Sequence, residues 1–148
     1  MSTILIKSKK AMALFAARLA KRVAEKKSLR GATVIGLVGN LGAGKTTFTQ
    51  SFLKTLGVTE RVSSPTFILM RPYEVKTKHH KLAYHLDTYR LDSVKELLAL
   101  GFKKIIREPG NIVLVEWADR FKKVMPKKTI WIEIKHGKKK TERVIIYS

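Results

Sequence analysis

The sequence contains no cysteine, which excludes both a disulfide framework and a thiolate metal site. No apolar run approaches the roughly 20 residues of a membrane-spanning helix. Near the start, Lys7, Lys9 and Lys10 interrupt the apolar stretch that a secretory signal would need, so a cytoplasmic location is the expectation. Acidic residues are scarce: 11 Asp+Glu stand against 31 Lys+Arg, a formal charge of +20. Such an excess suits a polyanionic partner, because clustered cations neutralise phosphates and release counterions. It equally suits a solvated surface biased towards lysine. The lysines fall in small knots at 7–10, 21–27, 76–81 and 135–140, and none interleaves with aromatics as a base-stacking platform does.

What is present is the material of one domain. The 148 residues are 45% hydrophobic, which suits a single core and is too apolar for a disordered chain. The most informative stretch is Gly39-Asn40-Leu41-Gly42-Ala43-Gly44-Lys45-Thr46, which fits the phosphate-binding loop G-x-x-x-x-G-K-[ST]. Before it runs Val34-Ile35-Gly36-Leu37-Val38, of strand type. After it, Phe48, Phe52 and Leu56 fall at helical spacing. This is the strand–loop–helix context in which glycine-freed backbone N–H groups and a helix N-terminus meet a phosphate. In that setting Lys45 reaches the β- and γ-phosphates, Thr46 offers its hydroxyl to Mg²⁺, and Thr47 is placed for the α-phosphate.

The remaining pattern builds around that unit. A short strand is expected at 3–7, then Ser8 as N-cap of a helix with Met12, Phe15, Leu19 and Val23 on one face. Gly57 closes the second helix. Further strands are expected at 66–73, 82–86, 112–115, 129–135 and 143–147, with helical segments from Ser93 to Leu100 and at 102–107. The result is α/β: a single P-loop NTPase-type domain with a mixed, mainly parallel sheet flanked by helices and antiparallel C-terminal strands.

Hydrolysis needs acidic or polar help at the metal and at the attacking water. Asp87 follows the strand residues Tyr84-His85-Leu86, and Glu116 follows Ile112-Val113-Leu114-Val115. Carboxylates at strand C-terminal ends face the ligand crevice of a parallel sheet. Glu116 fits a Walker-B-type role best, because its strand is the more apolar. Ser63-Ser64-Pro65-Thr66 offers three hydroxyls in a loop that is either switch-like, reaching the γ-phosphate region, or a plain turn. His79, His80, His85 and His136 share no metal-ligand spacing and read as surface or core residues. By residue type alone Trp117 reads as core packing. Neither N-K-x-D nor a D-x-x-G after a strand occurs, which argues against a Ras-like GTPase and leaves ATP.

Leu41-Gly42-Ala43-Gly44-Lys45-Thr46-Thr47, Ser64-Pro65-Thr66, His85-Leu86-Asp87-Thr88-Tyr89-Arg90-Leu91 and Leu114-Val115-Glu116-Trp117, in that order, resemble the TsaE (YjeE) family. These are bacterial P-loop ATPases of tRNA threonylcarbamoyladenosine (t6A) formation. The resemblance implies ATP at residues 40–47, Mg²⁺ at Thr46, Asp87 and Glu116, and catalytic roles for Lys45, Asp87 and Glu116. It also implies that Thr66 lies in a switch-like loop, that Trp117 is close to the nucleotide, and that Ser8 shapes the adenine side. The implied partner is a TsaB–TsaD-type complex in which ATP hydrolysis supports repeated turnover, with direct or partner-mediated tRNA contact and no membrane. Two features depart from the family: Asn40 stands where an acidic residue is usual, and the charge is unusually high.

Two other functions remain to be weighed. A small nucleotide or metabolite kinase needs an acceptor pocket and an arginine-bearing lid, for which residues 90–107 leave little room. A basic RNA-binding module predicts salt-sensitive RNA binding without ATP.

Overall fold

The computed structural model describes residues 1–63 and 68–148. One seven-stranded sheet runs through the molecule in the order β1-β7-β6-β2-β5-β4-β3. The strands are β1 (Ser2–Ile6), β2 (Thr33–Val38), β3 (Met70–Glu74), β4 (Leu82–Asp87), β5 (Asn111–Glu116), β6 (Ile130–His136) and β7 (Arg143–Tyr147). The centre is parallel, with β2 between β5 and β6 and β4 beside β5. The β1–β7, β6–β7 and β3–β4 pairings are antiparallel.

The central strands are covered on both faces, and their side chains alternate between two cores. On β2 and β5, Ile35, Leu37, Ile112 and Leu114 face the helices α1 (Lys9–Glu25) and α2 (Lys45–Thr55), which supply Met12, Leu19, Phe48 and Phe52. Val34, Val113 and Val115 face the other way. There they meet Leu97 of α3 (Val94–Ala99), Phe102 and Ile105 of α4 (Phe102–Arg107), and Phe121 of a 3-10 helix, Ala118–Val124. All six residues of β5 are buried, as expected of a parallel strand sandwiched between layers.

Local chemistry sets the boundaries. Ser8 caps α1 by accepting from the Ala11 N–H at 3.0 Å, and Ser93 caps α3 by accepting from Glu96. Gly57 adopts φ +91° just after α2, in the left-handed region where glycine has no Cβ penalty.

The strand expected at 66–73 lies partly outside the described residues. Ile68 and Leu69 precede the strand, which runs Met70–Glu74. It is an edge strand, so Pro72 is tolerated within it. The 3-10 helix after Trp117 was not expected; its run Ala118–Val124 has no strong apolar period, and Phe121 breaks the helical geometry with φ −125°. Among the described residues, no helix is long and apolar enough to cross a membrane.

Candidate nucleotide site

Because β2, β5 and β4 are parallel neighbours, their C-terminal ends open on the same edge of the sheet. The register sets Leu37 and Asp87 on either side of Glu116. The loop after β2 and the start of α2 lie directly above. A cleft of about 820 Å³ occupies this edge. Its walls include Leu41 to Thr47, Asp87, Glu116, Trp117 and Ser8, together with Tyr89, Arg90 and Arg143.

The loop itself is drawn tight. Ala43 N–H donates to the Asn40 carbonyl at 3.1 Å, and Gly42 and Gly44 take φ +76° and +114°. Gly39 has a different role: a Cβ there would sit 2.7 Å from the Ile134 carbonyl of β6. Its missing side chain lets the loop leave the sheet against the neighbouring backbone. Lys45 opens α2 and is buried at 7% exposure. Its Nζ donates to the Gly39 carbonyl and sits 3.6 Å from the centroid of the Trp117 ring, a cation–π contact. Burial lowers the Lys45 pKa, and the charges of Glu116, Asp87 and Asp119 oppose that shift.

Glu116 is buried and hydrogen-bonded to His85, with Nε2 and Oε2 3.1 Å apart. A carboxylate can only accept, so Nε2 carries the proton. The β4–β5 register makes this pair possible: His85 lies opposite Leu114, two residues before Glu116. Asp87 is also buried, and its Oδ1 accepts from the Tyr89 N–H at 3.0 Å. Trp117 has φ +62°, an uncommon conformation for a bulky residue. The surroundings hold it there. Thr88 Oγ1 donates to the Glu116 carbonyl at 2.7 Å, and the Tyr89 ring packs on the indole at 4.9 Å. Arg120 donates to the carbonyls of Thr88, Tyr89 and Leu91, tying the segment after β4 to the 3-10 helix after β5.

The cleft therefore brings together Ser8, Leu41, Gly42, Ala43, Gly44, Lys45, Thr46, Thr47, Asp87, Glu116 and Trp117. Ser8 lines it while its hydroxyl is occupied as the α1 cap. Asn40 is exposed and meets the loop through its backbone carbonyl. Thr66, with Ser64 and Pro65, lies outside the described residues. Sequence reasoning missed Tyr89, Arg90 and Arg143 as cleft residues, and His85 as the partner of Glu116. For His85 a signal existed: it precedes Asp87 by two on the same strand, so it shares that carboxylate's face. For Arg143 there was none.

The donor set fits a nucleotide-borne magnesium ion. Among the described residues, no group of three or more His, Cys, Asp or Glu side chains could cage a metal. Mg²⁺ in phosphate sites takes one or two carboxylates and completes its shell with a hydroxyl, water and phosphate oxygens. Thr46, Asp87 and Glu116 on one cleft offer that set.

Comparison with known proteins agrees with this architecture. The family model described as "Threonylcarbamoyl adenosine biosynthesis protein TsaE" matches residues 6–145. The tRNA threonylcarbamoyladenosine biosynthesis protein TsaE of Bacillus subtilis is 38% identical over 70% of this chain and 62% of its own length. The Rickettsia felis protein of that name is 38% identical over 73% of the chain and 60% of its own length. For the Haemophilus influenzae protein the identity is 34%, over 79% and 73%. The match thus spans only about three-fifths of the first two relatives. The crystal structure of Bacillus subtilis YdiB superposes with a TM-score of 0.72 at 27% identity, covering 99% of this chain and 83% of that one. With the family match running almost end to end over a P-loop sheet of this topology, the chain belongs to the TsaE family of threonylcarbamoyladenosine biosynthesis proteins.

Proposed function

We propose that the chain binds and slowly hydrolyses ATP·Mg²⁺ as an accessory protein of tRNA t6A formation, working with a TsaB–TsaD-type complex in the cytoplasm. The observation that carries this reading is the convergence of Lys45, Thr46, Asp87, Glu116 and Trp117 on one cleft at the carboxyl edge of the parallel strands. In this reading the P-loop amides and Lys45 hold the β- and γ-phosphates. Thr46, Asp87 and Glu116 would hold Mg²⁺, which would supply positive charge against the phosphates. Glu116, held by His85 at 3.1 Å, would supply the carboxylate that orients an attacking water.

Lys45 has to leave the Gly39 carbonyl and the Trp117 face to meet phosphate, so binding exchanges one set of partners for another. The Tyr89–Trp117 pair then forms a wall beside the phosphates. The +20 charge is consistent with direct or partner-mediated tRNA contact, and Lys7, Lys9 and Lys140 stand at the cleft.

The test is ATP turnover with and without TsaB–TsaD. Stimulation by the partners supports the reading. Transfer of phosphate to a small acceptor in place of water would sink it, as would the absence of ATP binding in calorimetry.

A further inference from the structure

Arg143 opens β7, at the base of the hairpin between β6 and β7. It lies about one hundred residues from the P-loop in sequence, yet its guanidinium is bonded into that loop. Nε donates to the Ala43 carbonyl at 2.9 Å, and Nη2 donates to the Gly42 carbonyl at 3.2 Å. Nη1 donates to the carbonyls of Lys140 and Glu142, at 2.9 and 2.8 Å. The fork therefore spans two backbone segments, two carbonyls on each. Among the described residues no carboxylate pairs with it, and it lines the cleft.

We infer that Arg143 is a positioning residue for the diphosphate of the nucleotide, setting the orientation of the P-loop peptides from behind. In a planar trans peptide the C=O and the N–H point in opposite directions. Drawing the Ala43 carbonyl towards Arg143 turns the Gly44 N–H the other way. No described group accepts from that N–H, and Gly44 lines the cleft. The Gly42 carbonyl, held likewise, points the Ala43 N–H at Asn40, closing the turn.

A loop with glycines at 42 and 44 has many conformations to lose when it grips a phosphate. Arg143 removes part of that freedom beforehand by fixing the Gly42 and Ala43 carbonyls. A guanidinium suits this task because its donors form a rigid planar fork that an ammonium does not reproduce. A consequence is that the C-terminal hairpin and the nucleotide affinity are linked: whatever displaces residues 140–143 loosens the loop.

This inference rests on the nucleotide reading above, and the test separates the two. Calorimetry measures ADP·Mg²⁺ and AMP binding to wild type, Arg143→Gln and Arg143→Lys, with thermal unfolding as a fold control. Losing two charge-assisted bonds to the loop is expected to weaken ADP about tenfold or more. AMP, which does not engage the β-phosphate part of the loop, is expected to change less than about twofold. Arg143→Lys keeps the charge and the strand-compatible stem but not the fork, and is expected to fall between the other two. It also serves as the deciding variant where Arg143→Gln does not fold.

ADP affinity within twofold of wild type in a folded variant overturns the inference and leaves the nucleotide reading intact. Equal losses for ADP and AMP also overturn it, since they indicate general damage to the pocket. No ADP binding by the wild type overturns both.

Discussion

The Lys45 ammonium lies 3.6 Å from the centre of the Trp117 ring, and both residues line the same cleft. The tryptophan comes from the end of β5 and the lysine from the start of α2. Trp117 therefore senses whether Lys45 is stacked on it or drawn away. Nucleotide binding is expected to change Trp117 emission as the ammonium moves to phosphate. Trp131 is the other tryptophan of the chain, so a Trp117→Phe protein supplies the background. Emission that is unchanged on saturation with ATP·Mg²⁺ would contradict this arrangement.

Lys45→Ala removes the cation and the donor together. A charged hydrogen bond contributes about 1.5–3 kcal/mol, so ATP affinity is expected to fall by roughly ten- to a hundredfold. Thr46→Ala is expected to lose the dependence of affinity on Mg²⁺. Titration calorimetry in Mg²⁺ and in EDTA measures both.

Glu116→Ala is expected to spare nucleotide binding and to cut hydrolysis by about a hundredfold, the usual scale for removing one preorganised charged group. Normal turnover by Glu116→Ala with partners present would show that the metal is held elsewhere. His85 is bonded to Glu116 and is not among the residues that line the cleft. His85→Ala is therefore expected to lower kcat with little change in KM, and His85→Gln, which can still donate, to recover part of it.

Asn40 meets the loop through its backbone, and its side chain is exposed. Asn40→Asp is accordingly expected to leave folding unchanged, with any gain appearing in kcat. A kcat within twofold of wild type would show that the charge usual at this place in the family is dispensable here.

Gly39→Ala tests packing rather than chemistry. Its Cβ would meet the Ile134 carbonyl at 2.7 Å, a backbone atom that cannot swing aside. Overpacking of this kind costs about 1–3 kcal/mol, and denaturant unfolding is expected to report a loss in that range. An unfolding midpoint equal to that of wild type would show that β2 and β6 separate easily.

His80 gives the molecule an acid limit. Its ring is buried, Nε2 has no partner among the described residues, and Nδ1 lies 3.0 Å from Thr77 Oγ1. Burial first, and the neighbouring His79 second, lower its pKa below the ordinary 6.5. The unfolded chain therefore binds the proton more readily than the folded one. Stability is complete above about pH 6.5 and is lost as pH falls from there through the depressed folded value. Denaturant unfolding at pH 7.5 and 5.5 is expected to show this loss, and His80→Gln to reduce it.

The elements nearest the P-loop were legible because local physics determines them. Ser8 and the 3.6-residue period of Met12, Leu19 and Val23 specify α1. The apolar run before Glu116 specifies a strand covered on both faces, and the loop's glycines specify a tight turn that leads into α2 at Lys45. A parallel sheet then requires carboxylates at strand ends to face one edge, which places Asp87 and Glu116 together.

Only the tertiary structure decided which side chains complete the site from a distance. The His85–Glu116 bond depends on the register of β4 against β5, and Trp117 reaches Lys45 through a left-handed turn that its residue type disfavours. Arg143 reaches Ala43 because β7 folds back beside β6. Backbone preferences and hydrophobic periods act over a few residues, whereas these contacts join segments up to a hundred residues apart, so a local pattern gives at most the face a residue occupies, as for His85, and not its partner.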